Sequence, residues 1–376
     1  MAFLPREGRF WLLLTFGLLL VGWFKGINLL MLLAYLMLAL WMVNLVSSFR
    51  QVGSIRGRRW PLGPFFVGQE SRWDVELTND RKRASAGWRV VDAGPAHEQS
   101  WFLDRIDGGQ TVRWRARCRF HRRGLYRAEP LIAHCVHPFG LVQRTRKLVE
   151  AEDWVILPAL GKLDAEAFRH WIARQARSDG RLIRTSRPSM VRQDDLHGLR
   201  QFRAGDSPRW IHWRTSARRN QKMVREFEES SGQNLILVLD SWQPDENPGA
   251  LDQAVSLAAS ICWEWARQGN DQLFLAIATK EPVTISGSST REKSLLMLRA
   301  LALVDGEASP DVAPMLKSVA YKVVPDAPVV VVSARPNSPL VDRLSAAWNR
   351  RVITLSVDEA KVFYEKPKTS RTVKNG

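Results

Sequence analysis

Cysteine is scarce in this chain. Its 376 residues include only Cys118, Cys135 and Cys262, which are too few and too widely separated for a disulfide framework. The same scarcity excludes zinc sites of the four-cysteine kind and suits a reducing compartment. At roughly 150 residues per domain, the length predicts two to three domains.

Acidic residues are also few relative to basic ones. The chain has 38 Asp and Glu against 55 Lys and Arg, a net charge of +17 and an isoelectric point near 10.4. Such a chain attracts anionic partners: nucleic acid, anionic lipid or an acidic protein. The hydrophobic share of 45% is typical of a globular protein and excludes wholesale disorder.

Charge is missing altogether from two neighbouring runs near the N-terminus. Residues 10–24 and residues 27–46 carry no charged side chain. A helix of about 20 apolar residues crosses a bilayer, and somewhat shorter runs suffice with flanking adjustment. Since only Lys25 and Gly26 separate the two runs, we predict a two-helix transmembrane hairpin over residues 1–50.

Two other interpretations of these runs compete with the hairpin. A secretory signal peptide needs small residues at a cleavage site, whereas bulky Trp23 and Phe24 end the first run. The second alternative is a buried helical pair in a soluble protein. Arginines precede and follow the hairpin, and its turn holds Lys25 alone. The positive-inside rule therefore predicts a multi-pass protein of the cytoplasmic (inner) membrane with both termini in the cytosol.

Residues 51–158 have the alternation typical of β-strands. Apolar and polar side chains alternate over residues 73–78 and, for longer, over residues 112–120. Residues 131–136 and 154–157 are predicted as further strands, with no convincing helical stretch between them. We therefore predict a β-sandwich-like module.

One predicted strand has an arginine face, formed by Arg113, Arg115, Arg117 and Arg119. A solvated outer face that discourages edge pairing explains this pattern. A docking surface for acidic protein or anionic headgroups explains it as well, since no carboxylate lies within the run.

Cysteine and histidine cluster at Cys118, His121, His134, Cys135 and His137. Both residue types bind zinc. However, Cys118 lies on the apolar face of its strand, and the adjacent His134 and Cys135 must point to opposite faces of theirs. Because the spacing fits no zinc pattern, we expect no metal and no cofactor.

Basic residues concentrate again in residues 159–229. A helix is predicted over residues 164–177. Asp206, the only acidic residue between residues 200 and 225, is placed to cap a short helix that follows Pro208. The pattern predicts that Ile211, Trp213 and Ala217 face inward and that Arg209, Arg214 and Arg218 face outward.

This segment resembles the signature of the domain of unknown function 58 family. It matches that signature at Arg200, Phe202, Gly205, Asp206, Arg209, Ile211, Trp213, Ser216, Ala217 and Arg218. Residues 223–228, 122–127 and 138–141 are also similar to the family, which usually has Asp where this chain has His137.

The resemblance implies a bacterial, membrane-anchored accessory factor that works beside a MoxR-type AAA+ ATPase and other membrane proteins. It carries over no catalytic residues. It makes the following signature residues the candidates for partner docking: Arg200, Gly205, Asp206, Arg209, Trp213, Ser216 and Arg218.

Residues 230–365 alternate apolar strands with amphipathic helices. Strands are predicted over residues 234–240, 272–278, 329–332 and 352–357, and helices over residues 251–267, 291–303 and 338–349. Continuous apolar strands suit a parallel sheet covered on both faces, as in a doubly wound α/β domain. In the family that the chain resembles, this segment is von Willebrand factor A-like. Residues 366–376 are predicted to form a basic disordered tail.

Such a domain often binds magnesium through Asp-x-Ser-x-Ser after its first strand. Asp240 and Ser241 are present here, but Trp242 and Pro244 replace the two serines of the pattern. We therefore expect a degenerate site without metal. Because this edge of a parallel sheet is where ligands and partners bind, we expect Asp240 to mark a docking edge.

Enzyme signatures are absent from the sequence. It contains no Gly-x-Ser-x-Gly, no His-Glu-x-x-His, no Walker lysine and no Cys-x-x-Cys. His212 is the one histidine that invites a role as general base, but no nucleophile stands beside it. We therefore predict a non-enzymatic membrane scaffold, and the hairpin disfavours nucleic acid as its partner. The alternative is a membrane-tethered binder of anionic polymer or lipid headgroups. Its affinity for these partners would fall steeply as the salt concentration rises.

Overall fold

The structure is a computed structural model of the chain. It describes residues 2–3, 5–52, 55–177, 196–202, 211–227, 234–244, 247, 249–267, 272–288, 290–307, 315–316 and 327–367. These residues form two compact units, of which the first contains the residues up to Leu160 and the second spans Gly161–Lys366. Most of the predicted C-terminal tail lies outside the described residues.

The first unit consists of two long helices and a set of strands. Its helices are α1 (Arg6–Lys25) and α2 (Asn28–Val52). Its strands are β1 (Ala2–Phe3), β2 (Ile55–Pro61), β3 (Phe65–Phe66), β4 (Glu70–Asn79), β5 (Ser85–Gly94), β6 (His97–Ile106), β7 (Thr111–Arg119), β8 (Gly124–Ala128), β9 (Leu131–Cys135), β10 (Gln143–Val149) and β11 (Glu152–Leu157). The strand orders are β1-β10-β9-β5-β6, β2-β4-β7 and β3-β11-β8.

Helices α1 and α2 form the predicted hairpin. Gly26 ends α1 with φ 63°, a left-handed conformation that glycine adopts without strain. The Trp11 indole N–H donates to the Met37 carbonyl oxygen at 3.2 Å and joins the two helices. Both helices are long and apolar enough to cross a membrane, and only 17% of each apolar window is buried. That exposure argues against a buried helical pair in a soluble protein.

The strands of the first unit enclose one apolar core. Trp73, Val75 and Leu77 of β4 are fully buried in the same cluster as Trp88 and Val90 of β5. Because β4 and β5 belong to different sheets, the inner faces of two sheets meet across this core. This is the sandwich-like packing that the alternation of residues predicts.

A buried ion pair lies inside this core. The side chains of Arg59 and Asp92 are both fully inaccessible, and Arg59 Nη1 lies 2.7 Å from Asp92 Oδ1. Nη1 also donates to the Glu129 carbonyl oxygen at 2.9 Å, and the Trp73 indole N–H donates to Asp92 Oδ2 at 2.7 Å. The Arg59 guanidinium lies 5.1 Å from the centre of the Trp154 ring. Buried charges need both a counter-ion and hydrogen bonds, and this network provides them.

The ionisation of Asp92 is tied to folding. Burial raises the pKa of Asp92, but hydrogen bonds from His97 and Trp73 and the charge of Arg59 outweigh it and hold the pKa below its usual value. The ionised carboxylate therefore stabilises the fold above the unfolded-state pKa of about 3.9. That contribution is lost as the pH falls through the lower pKa of the folded state.

We expect Asp92→Ala to destabilise the protein by about 3 to 5 kcal/mol, because it removes the buried counter-ion of Arg59 and leaves only the partly exposed Glu152 carboxylate beside the guanidinium. The measurement is denaturant unfolding of the detergent-solubilised chain, followed by tryptophan fluorescence. The matched control is Asp80→Ala, which removes the ion pair of Asp80 with Arg56, whose side chains are 37% and 76% exposed. An exposed pair contributes about 0 to 1 kcal/mol, so equal losses in the two variants would contradict this account.

The pH dependence of stability offers a second test of the same pair. The amide of Asp92→Asn cannot ionise, so the stability gap between wild type and this variant should narrow as the pH falls from about 6 to about 3. Unfolding midpoints of both proteins across this range measure the gap. A gap that stays constant with pH would show that ionised Asp92 contributes nothing to folding.

The second unit is an α/β structure. Its helices are α3 (Ala165–Arg177), α4 (Trp213–Arg219), α5 (Gly249–Arg267), α6 (Arg291–Ala302) and α7 (Pro339–Trp348), with a 3-10 turn at Glu359–Val362. Its strands are β12 (Lys162–Leu163), β13 (Leu196–Gln201), β14 (Met223–Phe227), β15 (Leu235–Asp240), β16 (Gln272–Ala278), β17 (Val283–Ser288), β18 (Val329–Ser333), β19 (Val352–Ser356) and β20 (Tyr364–Glu365). The strands pair as β12-β20, β13-β14 and β17-β16-β15-β18-β19.

The central sheet matches the predicted parallel arrangement except at one edge. Strands β16, β15, β18 and β19 run parallel, whereas β17, which the sequence analysis does not predict, pairs antiparallel with β16. Leu340 and Leu344 of α7 pack with Ile236 and Val238 in one cluster. Helix α5 also contacts β15 and β18, but among the described residues its buried side chains do not belong to that cluster, so α5 packs on the opposite face of the sheet from α7. Helices therefore cover both faces of the sheet.

Candidate functional site

Asp240 ends β15 at the carboxyl edge of the central sheet, and its carboxylate is fully buried. Its Oδ2 accepts hydrogen bonds from Ser333 Oγ at 2.9 Å and from Ser338 Oγ at 2.7 Å. Ser333 ends the neighbouring strand β18, and Ser338 caps α7 by accepting the Leu340 N–H. The ends of two parallel strands and the start of a helix therefore converge on one carboxylate.

An arginine supplies the positive charge at this edge. Arg335 Nε lies 3.2 Å from Asp240 Oδ2, and the Arg335 guanidinium lies 4.9 Å from the centre of the Trp242 ring. The Trp242 backbone N–H donates to Asp240 Oδ1 at 3.1 Å. Trp242, which stands where the magnesium-binding pattern has serine, thus holds the arginine in place by a cation–π contact.

Four hydrogen bonds engage the Asp240 carboxylate, which offers about four lone-pair sites when ionised. Ser333, Ser338 and Arg335 all contact Oδ2, whereas Oδ1 accepts the Trp242 N–H. Ser241 Oγ donates instead to the Ala278 carbonyl oxygen. Within the residues that the structure describes, no group of three His, Cys, Asp or Glu side chains could hold a metal ion.

The signature segment forms a small element of its own. Strands β13 and β14 pair antiparallel, and Arg200 stands opposite Val224 in their register. The Ser216 hydroxyl accepts the Met223 N–H at 2.9 Å and donates to the His212 carbonyl oxygen at 3.0 Å, which ties α4 to β14. Three of the candidate docking residues, Gly205, Asp206 and Arg209, lie outside the described residues.

Two expectations for this segment are wrong. Trp213 and Ala217 are exposed, Trp213 by 67%, rather than turned inward, whereas Ile211 is buried as expected. The prediction fails because α4 begins at Trp213 and not after Pro208, which rotates the pattern of buried positions. Arg214 and Arg218 face outward as predicted.

His212 caps α4, and the predicted capping residue Asp206 lies outside the described residues. The Nδ1 atom of His212 accepts the Thr215 N–H at 3.3 Å, so one ring nitrogen is engaged by the helix terminus. This structural role accounts for the one histidine that invited a catalytic interpretation.

The arginine face of β7 is less positive than its sequence indicates. Its four arginines are exposed as predicted, but Arg113 and Arg115 both hydrogen-bond the buried carboxylate of Asp74. Asp74 lies on the neighbouring strand β4, directly opposite Arg115. A carboxylate that is distant in sequence therefore neutralises part of the face, which weakens its interpretation as a surface for anionic headgroups.

The cysteine and histidine cluster divides between core and surface. Cys135 is fully buried in the core, whereas the adjacent His134 points the other way and bonds Thr145 Oγ at 2.9 Å. Burial raises the pKa of the Cys135 thiol, so the reactive thiolate is disfavoured.

Comparison with known proteins agrees with the family resemblance. The second unit combines the antiparallel strands β13 and β14 with a mainly parallel sheet, which has a buried aspartate at its edge and helices packed against it. Residues 198–361 match the family model described as "Protein of unknown function DUF58". This match supports the family that the signature residues indicate.

Individual relatives share shorter stretches. The "Uncharacterized protein YeaD" of Bacillus subtilis (strain 168) is 38% identical over 71 residues, which span 19% of this chain and 17% of that protein. Among solved structures, the CARDB domain of PF1109 from Pyrococcus furiosus aligns with 27% of this chain and 94% of its own length, at 11% identity and a TM-score of 0.23. A likeness this low carries no argument about the fold.

The sequence pattern identifies Asp240 but not its partners. Ser333, Arg335 and Ser338 follow the predicted strand over residues 329–332 directly. Since the carboxyl ends of parallel strands meet at one edge, their position after the strand was the signal that could have placed them beside Asp240.

We expect Asp240→Ala to destabilise the chain by about 3 kcal/mol, since it leaves the Arg335 charge at the sheet edge without its carboxylate partner. Thermal unfolding should also be unchanged when magnesium replaces a chelator, because Arg335 already satisfies the carboxylate. The control is Asp342→Ala, which removes an exposed carboxylate from the first turn of α7. A magnesium-dependent rise in the midpoint that Asp240→Ala abolishes would overturn this assignment.

Proposed function

We propose that the protein is a non-enzymatic, membrane-anchored scaffold whose cytosolic domains dock protein partners, chiefly a MoxR-type AAA+ ATPase. The observation that carries this proposal is the surface of α4. Trp213 is 67% exposed there, and Arg214, Arg218 and Arg219 are exposed beside it. This docking surface lies within the residues that match the family model.

The composition of this docking surface is that of an interface centre. Tryptophan and arginine are the residues most enriched among those that dominate binding energy in protein complexes. Leaving a large aromatic ring in water is unfavourable for a monomer, whereas a partner that covers it gains apolar burial. The surrounding arginines favour an acidic partner surface and speed its encounter.

The second unit supports a von Willebrand factor A-like fold. Its parallel strands, its helices on both faces and an aspartate at the carboxyl end of β15 are the features expected of that fold. In this proposal the Asp240 edge is a docking surface that Arg335 completes without metal.

The hairpin supplies the anchor in this proposal. Helices α1 and α2 cross the cytoplasmic membrane, and both termini lie in the cytosol because Arg6, Arg9, Arg56 and Arg58 flank the pair. The β-sandwich-like module and the α/β domain then hold bound partners close to membrane clients.

The test is a tagged pull-down from solubilised membranes, analysed by mass spectrometry, with Trp213→Ala as the variant. We expect wild type to recover a AAA+ ATPase and the variant to bind the purified ATPase about tenfold or more weakly, a loss of at least 1.4 kcal/mol. The control is Phe102→Ala, which removes another exposed aromatic ring, 71% accessible, from β6 in the first unit.

Three outcomes distinguish the scaffold from the alternative function. Loss with Trp213→Ala but not with Phe102→Ala supports docking at α4. Equal binding by all three proteins overturns the docking surface. Recovery of only nucleic acid or lipid, lost steeply as salt rises, supports the alternative function of binding anionic polymers or headgroups.

A further inference from the structure

The loop that joins β9 to β10 contacts the base of the helical hairpin. Ser48 Oγ of α2 donates to the His137 carbonyl oxygen at 3.1 Å, and Asn44 Oδ1 accepts the Val142 N–H at 3.0 Å. Both Asn44 and Ser48 are fully buried although they lie on an otherwise apolar helix. The Asn44 amide oxygen and the Ser48 hydroxyl therefore bond the β-module and not lipid or water.

Helix α1 approaches the same loop closely. A methyl group added at Gly8 would lie 2.0 Å from the Leu141 carbonyl oxygen, so only glycine permits this contact. Leu141 and Val142 are buried, at 6% and 1% exposure. Residues 137–142, of which 138–141 are similar to the family, thus form the seat of the hairpin on the β-module.

This seat shortens the part of the hairpin that is free to cross a bilayer. Residues 28–43 of α2 precede the contact, and about 16 residues rise about 24 Å at 1.5 Å per residue. The hydrocarbon core of a bilayer is about 30 Å thick. A hairpin of this length therefore draws the loop into the membrane interface. Otherwise the helices would not span the hydrocarbon core of the bilayer, or the bilayer would have to become thinner around them.

The loop presents exposed apolar side chains at the end of the hairpin that we place in the membrane interface. Phe139 is 55% exposed and Val136 is 40% exposed, next to the apolar surface of the helices. Arg144 of β10 stacks on Phe49 of α2, with 3.8 Å between the guanidinium carbon and the centre of the ring. Arg6 and Arg9 of α1 are exposed near the same end of the hairpin, with Glu7 as the acidic residue between them. Aromatic and arginine side chains together are typical of the membrane interface.

We propose that the loop of residues 136–142 is a membrane-docking site for phospholipid, with Phe139 inserted at the boundary between headgroups and acyl chains. This inference rests on the proposed membrane anchor and adds to it. The β-module is held against the bilayer by its own lipid contact and is not connected to the membrane by a flexible linker alone.

The experiment uses the full-length chain in liposomes of phosphatidylethanolamine and phosphatidylglycerol. The photo-crosslinker p-benzoylphenylalanine replaces one phenylalanine at a time, and intact-mass spectrometry identifies the adducts after irradiation. Position 139 tests the proposal. Phe16, 64% exposed on α1, reports the anchor, and Phe102, 71% exposed on β6 at the far edge of its sheet from β10, is the matched control.

We expect lipid adducts at positions 16 and 139, with a yield at 139 about tenfold above that at 102, because only an inserted ring stays in contact with lipid. Adducts at 16 but not at 139 would overturn the docking site and leave the anchor standing. No adduct at 16 would contradict the anchor itself. Crosslinks from 139 to a second copy of the chain would show that the loop is instead an interface between protomers.

Discussion

A buried aspartate held by an arginine organises each of the two units. In the first unit, Arg59 on β2 and Asp92 on β5 join strands of two different sheets across the sandwich core. In the second unit, Asp240 at the end of β15 is joined to Arg335, which follows β18. Removing the aspartate of such a pair takes the buried counter-ion from its arginine, at a cost of several kcal/mol. The surrounding strands are therefore restricted to the packing that keeps both partners together.

Local sequence patterns predict the apolar elements of this fold closely and the polar ones poorly. The strand over residues 272–278 and the helix over residues 164–177 are found within one residue of their predicted bounds. Continuous burial gives the strand a clear pattern, and a stripe of buried apolar residues does so for the helix. Strand β5 has no such pattern, because Arg89 and Asp92 interrupt it. The pairing of Asp92 that makes its burial possible joins residues far apart in the chain.

The candidate site shows the same division. Asp240 is predictable because it ends a continuous apolar strand, but the hydroxyls and the guanidinium that surround it come from residues 93 to 98 positions later. The outward position of Trp213 depends on where α4 begins, which His212 determines. A shift of a few residues in a helix start changes which side chains face the core, and single-sequence patterns define such boundaries least well.

The arginine at the Asp240 edge has a consequence for how this edge of the sheet can be regulated. A charge that belongs to the chain is present in every copy from the moment of folding, and neither chelation nor depletion of ions removes it. A carboxylate that depends on a dissolved ion as its counter-charge is occupied or empty according to the concentration of that ion. Under the proposed docking role, the timing of docking at this edge therefore comes from the partner or from the amount of protein made.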